Sequence, residues 1–266
     1  MKKALTIAGS DCSGGAGIQA DLKTFSAHGV FGMSVITSVV AENTARVISY
    51  QDIDPIIINQ QMDAVFEDIV PNAVKIGMLS TVETMRAVTK SLNKWKPEKI
   101  VLDPVMYAKN GCALMDPASI DTLIEEVLPL ADLITPNVPE AEKISGMTIA
   151  TLDDMKAAAQ KIYQMCSAAV MLKGGHKSGD ATDILYDGYE FTEYTSERID
   201  TKNTHGTGCT FSSAIASQLA LGKELKPAVA EAKEYVTTAI RHSLPLGKGH
   251  GPTNHFYQLY RSGLQL

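Results

Sequence analysis

The run Asn203-Thr204-His205-Gly206-Thr207-Gly208-Cys209 leads at once into the small-residue stretch Thr210-Phe211-Ser212-Ser213-Ala214-Ile215-Ala216. A glycine-rich corner feeding a helix leaves backbone N–H groups unpaired at the positive end of the helix dipole, a place that suits an anion such as a phosphoryl group in transfer. Gly206, Thr207, Gly208 and Cys209 are therefore candidate catalytic residues. Cys209 sits where the same dipole is expected to lower a thiol pKa, which makes its sulfur a candidate acid–base group. The competing reading is a glycine-rich loop ahead of a buried helix, with Cys209 as core filler.

Other chemistry-bearing residues stand just after apolar runs. Gly9-Ser10-Asp11-Cys12-Ser13-Gly14-Gly15-Ala16-Gly17 allows close backbone approach to a ligand, with Asp11 and Asp21 as hydrogen-bond acceptors. It lacks the Lys-Ser/Thr ending of a Walker A loop and is not a G-x-G-x-x-G fingerprint. Asp103 follows one strand-like run, and Asn137 and Glu140 stand three apart after another. These hard oxygen donors suit Mg²⁺ bridging nucleotide phosphates, while Asn137 and Glu140 read equally well as a helix cap with a first-turn acid. Lys173-Gly174-Gly175-His176 offers a lysine for phosphate or, in the plainer reading, a solvated turn. His176, His205 and His250 lack metal-ligand spacing and read as structural or solvent-exposed.

The elements that must position these residues alternate along the chain. Apolar runs at Ala4–Ala8, Ser34–Ala41, Val74–Met78, Ile100–Val105, Asp132–Thr135 and Ala169–Lys173 read as buried strands. Helical patterns at Ala16–His28, Pro55–Ile69, Thr81–Trp95, Pro117–Leu130 and Leu152–Met165 separate them, the last with Thr151 as cap and an inward stripe of Met155, Ala159, Ile162 and Met165. Ala181–Asp187 and Glu190–Glu197 predict an antiparallel pair around Asp187-Gly188, making the sheet mixed on one side, and helices follow over Gly208–Leu221 and Pro227–Ser243. The pattern is that of an α/β protein with a mostly parallel sheet in one domain, 1–266, whose ligands gather at the carboxyl ends of the strands.

Bulk properties narrow the partners. A formal net charge of −6 gives no reason to expect nucleic acid or an anionic membrane, so a small molecule is favoured. The four cysteines show neither metal-ligand spacing nor a disulfide framework, which points to a reducing cytoplasm. The apolar start is broken by Gly9-Ser10-Asp11, short of an export signal or a membrane span, and reads as a first strand.

Taken in order, A-L-T-I-A-G-S-D at the start, S-G-G-A-G-I-Q-A-D-L-K-T-F over 13–25, A-V-K-I-G-M-L over 73–79, V-L-D-P-V-M over 101–106, D-L-I-T-P-N over 132–137, L-K-G-G-H over 172–176 and T-H-G-T-G-C-T over 204–210 resemble the hydroxymethylpyrimidine/phosphomethylpyrimidine kinases of thiamin biosynthesis, within the ribokinase-like superfamily. The resemblance implies a three-layer α/β/α fold, a homodimer, ATP with Mg²⁺, and two successive phosphorylations of 4-amino-5-hydroxymethyl-2-methylpyrimidine. It makes Gly206 to Cys209 an anion hole, with Cys209 in place of the aspartate base of related sugar kinases. It puts Ala16, Val40, Glu42 and Met78 around the aminopyrimidine, alongside Asp11. Glu42 departs from the glutamine that many members carry. It gives Asp103, Asn137, Glu140 and Lys173 to the nucleotide phosphates, with Asp103 and Glu140 on the metal, and makes Tyr107–Leu114 a lid. Pyridoxal-phosphorylating relatives have a cysteine at the place of Ala108, whereas Cys112 lies further on. The rival expectations are a pyridoxal kinase of the same fold and a non-catalytic pyrimidine-binding protein.

Overall fold

A computed structural model describes residues 1–108, 111–174 and 181–263. Its strands are β1 (Lys3–Asp11), β2 (Phe31–Glu42), β3 (Val47–Asp52), β4 (Ala73–Ile76), β5 (Ile100–Leu102), β6 (Leu133–Ile134), β7 (Ala169–Leu172), β8 (Ala181–Tyr186) and β9 (Phe191–Ser196). They form one sheet in the order β3-β2-β1-β4-β5-β6-β7-β8-β9. The run from β2 to β7 is parallel, and both ends are antiparallel. The helices are α1 (Gly17–Ala27), α2 (Pro55–Asp68), α3 (Val82–Trp95), a single turn α4 (Ile120–Thr122), α5 (Val138–Ser145), α6 (Leu152–Cys166), α7 (Thr207–Ala220), α8 (Leu225–Arg241) and α9 (Tyr257–Ser262).

Alternation along the parallel strands divides the core into two layers. Leu5, Ile7, Val74, Ile76 and Leu102 face α2, α3 and α6, where Ile58, Met62, Met85, Val88 and Ile162 meet them. Ala4, Ala73, Val101 and Leu133 face α1, α7 and α8, meeting Phe25, Phe211, Ile215 and Val229. Register puts Thr6 opposite Lys75 and Lys75 opposite Val101, so two polar side chains lie in the middle of the second, otherwise apolar layer.

Several sequence expectations are corrected. The sheet is mixed on both sides because Val47–Asp52, a largely exposed edge without an apolar run, pairs antiparallel to β2. The stretch 117–130 is not one helix: it passes from a 3₁₀ turn through α4 into a widened π turn over Leu123–Val127 and a 3₁₀ turn over Leu128–Leu130. Pro129 lacks the N–H that an α-helix would need and crowds the preceding turn, so the register opens there. Met165 is 41% exposed and leaves the inward stripe, whereas Thr151 forms the expected capping box with Asp154. β5 stops at Leu102, two residues before Pro104; the Asp103 amide still bonds Ile76 O at 2.9 Å, and Asp103 lines the cavity.

Candidate active site

The last glycine corner is held in place by the first. Gly206 has φ +74, and a Cβ there would collide with the carbonyl oxygen of Gly15, so both conformation and space require glycine. The first backbone bond of α7 runs from Thr210 N to Gly206 O at 2.9 Å, and the Thr207 hydroxyl caps back to Thr204 O at 2.9 Å. The amides of Gly208 and Cys209 precede that first bond and have no backbone acceptor among the described residues. They lie at the positive end of a fourteen-residue helix, an arrangement that could hold an anion.

Before the corner, His205 donates from Nε2 to Asp11 Oδ2 at 2.8 Å, and Asp11 also accepts from the amides of Ser13 (2.7 Å), Gly15 (3.0 Å) and Ala16 (2.7 Å). Burial alone would raise the Asp11 carboxyl. The bonds from His205, Ser13 and Ala16 outweigh it and hold the group far below the usual carboxylate range. Asp11 lines the cavity, but its carboxylate is already occupied in fixing the glycine loop to the anion corner. His205, read from the sequence as a bystander, is the partner in that tie. Its position directly before Gly-Thr-Gly-Cys was the available signal.

Across the cavity, Asp103 Oδ1 accepts from Lys173 Nζ at 2.8 Å and from the Thr135 hydroxyl at 3.0 Å. Its Oδ2 is turned toward Gly208, where a Cβ would lie 3.2 Å from it and 3.4 Å from Lys173 Nζ. Burial opposes the charge on Lys173, but Asp103 and Glu140 keep its pKa above the ordinary value. Asn137 and Glu140 do form the capping box at the start of α5, with Glu140 N to Asn137 Oδ1 at 2.9 Å and Asn137 N to Glu140 Oε2 at 2.8 Å. The same two residues line the cavity, so the cap lies on it, and the Asn137 side-chain oxygen belongs to the cap. Burial lifts the Glu140 carboxyl to about 7, with Asp103 adding to the rise and Lys173 opposing it. Two buried carboxylates beside the anion corner, one with an oxygen aimed past a bare glycine, are a donor set that fits Mg²⁺.

The residues expected around an organic ring, Ala16, Val40, Glu42 and Met78, line the same cavity, of about 880 Å³, together with Asp11, Lys173 and Gly206 to Cys209. Val40, Met78 and Leu114 pack into one apolar wall, with Val105 and Ala108 against it. Tyr107 bridges to Ala113, and Ala108 N bonds Cys112 O at 2.8 Å, so the described residues at the two ends of the segment expected to act as a lid pair with each other beside that wall. Lys109, Asn110, Gly175 and His176 lie outside the described residues. Burial and the neighbouring Asp11 carboxylate raise Glu42 to about 7, against the pull of His205.

One electrostatic expectation fails. Burial pushes the Cys209 thiol up to about 11; Lys75 opposes that shift more than any other group, and Asp21 and Asp103 add to it. The helix dipole does not make up for the loss of water around the sulfur. Lys75 itself had no assigned role in the sequence reading, although a lysine between Val74 and Ile76 in a buried strand was a visible anomaly.

Among known proteins, the sequence profile of the family described as phosphomethylpyrimidine kinase matches residues 11–254. The hydroxymethylpyrimidine/phosphomethylpyrimidine kinase of Bacillus subtilis strain 168 is 48% identical over 96% of this chain and 94% of its own. The thiamine biosynthesis bifunctional protein of Geobacter sulfurreducens is 49% identical over 94% of this chain, which spans 51% of that longer protein. In structure, the phosphomethylpyrimidine kinase of Clostridium difficile 630 has TM-score 0.82 and 50% identity, covering 90% of this chain and 100% of that one. An ADP complex of Bacillus subtilis pyridoxal kinase has TM-score 0.90 and 43% identity, covering 97% and 99%. With a ribokinase-like sheet and a family match over nearly its whole length, the chain belongs to the phosphomethylpyrimidine kinase family.

Proposed function

We propose that this protein, acting as one domain, transfers the γ-phosphoryl group of ATP to the hydroxymethyl oxygen of 4-amino-5-hydroxymethyl-2-methylpyrimidine and a second phosphoryl group to the monophosphate so formed, giving the pyrophosphate used in making thiamin. The observation that carries this reading is the meeting of three things on one cavity: the Gly208 and Cys209 amides, the Lys173–Asp103 pair, and an apolar ring pocket ending in Glu42. The two amides and Lys173 hold the negative oxygens of the transferring group. Mg²⁺, held by Asp103 and Glu140, supplies charge neutralisation to the phosphates when bound.

In the first transfer the alcohol oxygen attacks the γ-phosphorus, its proton passes to the Cys209 thiolate, and the bond to the bridging oxygen breaks with its electron pair leaving on ADP. The second transfer starts from a phosphate oxygen that carries no proton to lose at neutral pH, so the sulfur has no part in it. With its thiol raised to about 11, Cys209 is mostly protonated at neutral pH, so the thiolate is the scarcer form there. The apolar surface at Val39, Ile48 and Tyr50 on the antiparallel edge supports a homodimer, and four scattered cysteines without the spacing of a disulfide framework support a cytoplasmic setting. No helix among the described residues is long and apolar enough to cross a membrane.

Pyridoxal also offers a primary hydroxymethyl on a flat nitrogen ring, and the structural likeness to a pyridoxal kinase makes it the rival substrate. ADP release with each acceptor, and phosphorus NMR of the products, separate the two. The pyrimidine is expected to exceed pyridoxal in kcat/KM by roughly 100-fold, the scale on which a site discriminates through buried polar contacts. A preference for pyridoxal overturns the assignment. ATP turnover that no acceptor stimulates overturns catalysis altogether.

A further inference from the structure

Beneath the anion corner lies a charge pair that the reaction as derived so far does not use. Lys75 and Asp21 are both fully buried, and Lys75 Nζ donates to both Asp21 oxygens at 3.0 and 2.9 Å. The Thr6 hydroxyl (2.6 Å) and the Ser213 hydroxyl (2.7 Å) complete the carboxylate's shell. Gly77 leaves room for the ammonium: a Cβ there would stand 2.8 Å from Nζ.

The sequence spacing ties this pair to the reaction centre. Asp21 lies four residues after Gly17 on α1, and Ser213 four residues after Cys209 on α7, so each couple occupies one helix face. The helices are joined along these faces by the Ser213 hydroxyl, which donates to Asp21 one turn beyond Cys209. Lys75 rises from β4 under both, and it lines the cavity together with Cys209. A neutral pair of the same shape would hold α1, α7 and β4 together about as well as two buried charges, which are costly to desolvate. Packing therefore does not account for the charge.

We propose that Lys75, locked by Asp21, is a positioning residue for phosphoryl transfer: its fixed ammonium, on the cavity that Cys209 also lines, favours the sulfur's accepting the proton of the substrate hydroxyl. The inference rests on the reading of Cys209 as the base. The ionisable groups acting on that sulfur include Lys75, Lys173, Asp21 and Asp103; the two lysines favour the thiolate, and Lys75 is the stronger of the influences that oppose its rise.

The test is the full-length Lys75→Met/Asp21→Asn protein, assayed with MgATP for each transfer across pH 6 to 10. The variant is expected to fold with a Tm near that of the parent. Its kcat for the first transfer should fall roughly tenfold, with KM for ATP and pyrimidine within about twofold. The rising limb of the pH profile should move to higher pH, and the loss should vanish when the pair is replaced in a Cys209→Ala background. A folded double variant with parental kcat and an unmoved pH limb overturns the inference, since a purely structural pair would behave so. The same loss in the Cys209→Ala background overturns it too, because the charge would then act elsewhere. Should the double variant not fold, Ser213→Ala loosens Asp21 while keeping both charges; a smaller shift in the same direction supports the inference and an unchanged profile overturns it. Undiminished first transfer in Cys209→Ala alone removes the base itself, whereas a loss there with none in the double variant removes only the role of Lys75.

Discussion

Two lysine–aspartate pairs bracket the first turn of α7, and they differ in what surrounds the carboxylate. Asp21 is saturated by protein donors: Lys75 on both oxygens, then Thr6 and Ser213. Asp103 gives one oxygen to Lys173 and Thr135 and turns the other toward the cavity past Gly208. Lys75 has no exposed side-chain surface, while 17% of the Lys173 side chain is open. A saturated pair can act only as scaffold or as a fixed field. A pair with an oxygen and an ammonium left on the cavity can hold a ligand, so the same two residue types serve different ends according to how many donors the fold supplies.

The largest test of that contrast is to remove each ammonium alone. Lys173→Met is expected to cost on the order of 100- to 1,000-fold in kcat for both transfers, with only a modest fall in Tm. Lys75→Met strands Asp21 in the core, and chemical denaturation is expected to show a loss of about 3–5 kcal/mol. Equal destabilisation by the two substitutions, or equal loss of activity in the fraction that stays folded, would erase the distinction between the pairs.

A smaller effect is expected at the sulfur between them. Cys209→Ala should lower the first transfer roughly 10- to 100-fold at neutral pH and leave the second within about threefold. With the thiol at about 11, the competent thiolate grows as pH rises, so the parental rate of the first transfer should climb through pH 7 to 9. The alanine variant should be flat over that range. Equal losses in both transfers, read by single-turnover assay, would take proton transfer away from Cys209.

The saturated pair was also the part of the site least legible in the sequence. Asp103, Lys173 and the Gly-Thr-Gly-Cys corner stand directly after strands or before a helix, where backbone order alone brings them to the carboxyl edge of the sheet. Lys75 and Asp21 come together only through register: Thr6 opposite Lys75 on neighbouring strands, and Ser213 nearly two turns into a helix far along the chain. Asn137 and Glu140 were readable as a cap or as ligands because the spacing of three serves both, and the fold uses the spacing for the cap while leaving Glu140 on the cavity. Periodicity found the parallel strands because their faces are uniformly apolar. It missed β3, whose exposed residues carry no such signal, and it ran through Pro129, where one absent N–H changes the turn.

The smallest effect is expected at Glu42, which shares features of both pairs: it faces the ring pocket, yet its charge is set by the closed Asp11–His205 tie beside it. Raised to about 7 by burial and by Asp11, the carboxyl is protonated below that pH and donates and accepts as a glutamine would; above it, an anion stands next to another anion. A raised carboxyl favours the folded state in full below the unfolded value of about 4.5, and that contribution is lost as pH rises through about 7. Glu42→Gln should therefore match the parent in Tm near pH 5 and exceed it slightly at pH 8. Its kcat/KM for the pyrimidine should stay within about threefold of the parent at pH 6 and lose the parent's change between pH 6 and 8. A glutamine variant that keeps the parental pH dependence would show that the ring pocket does not feel the Asp11–His205 tie, and would leave the Lys173 side of the cavity as the source of that dependence.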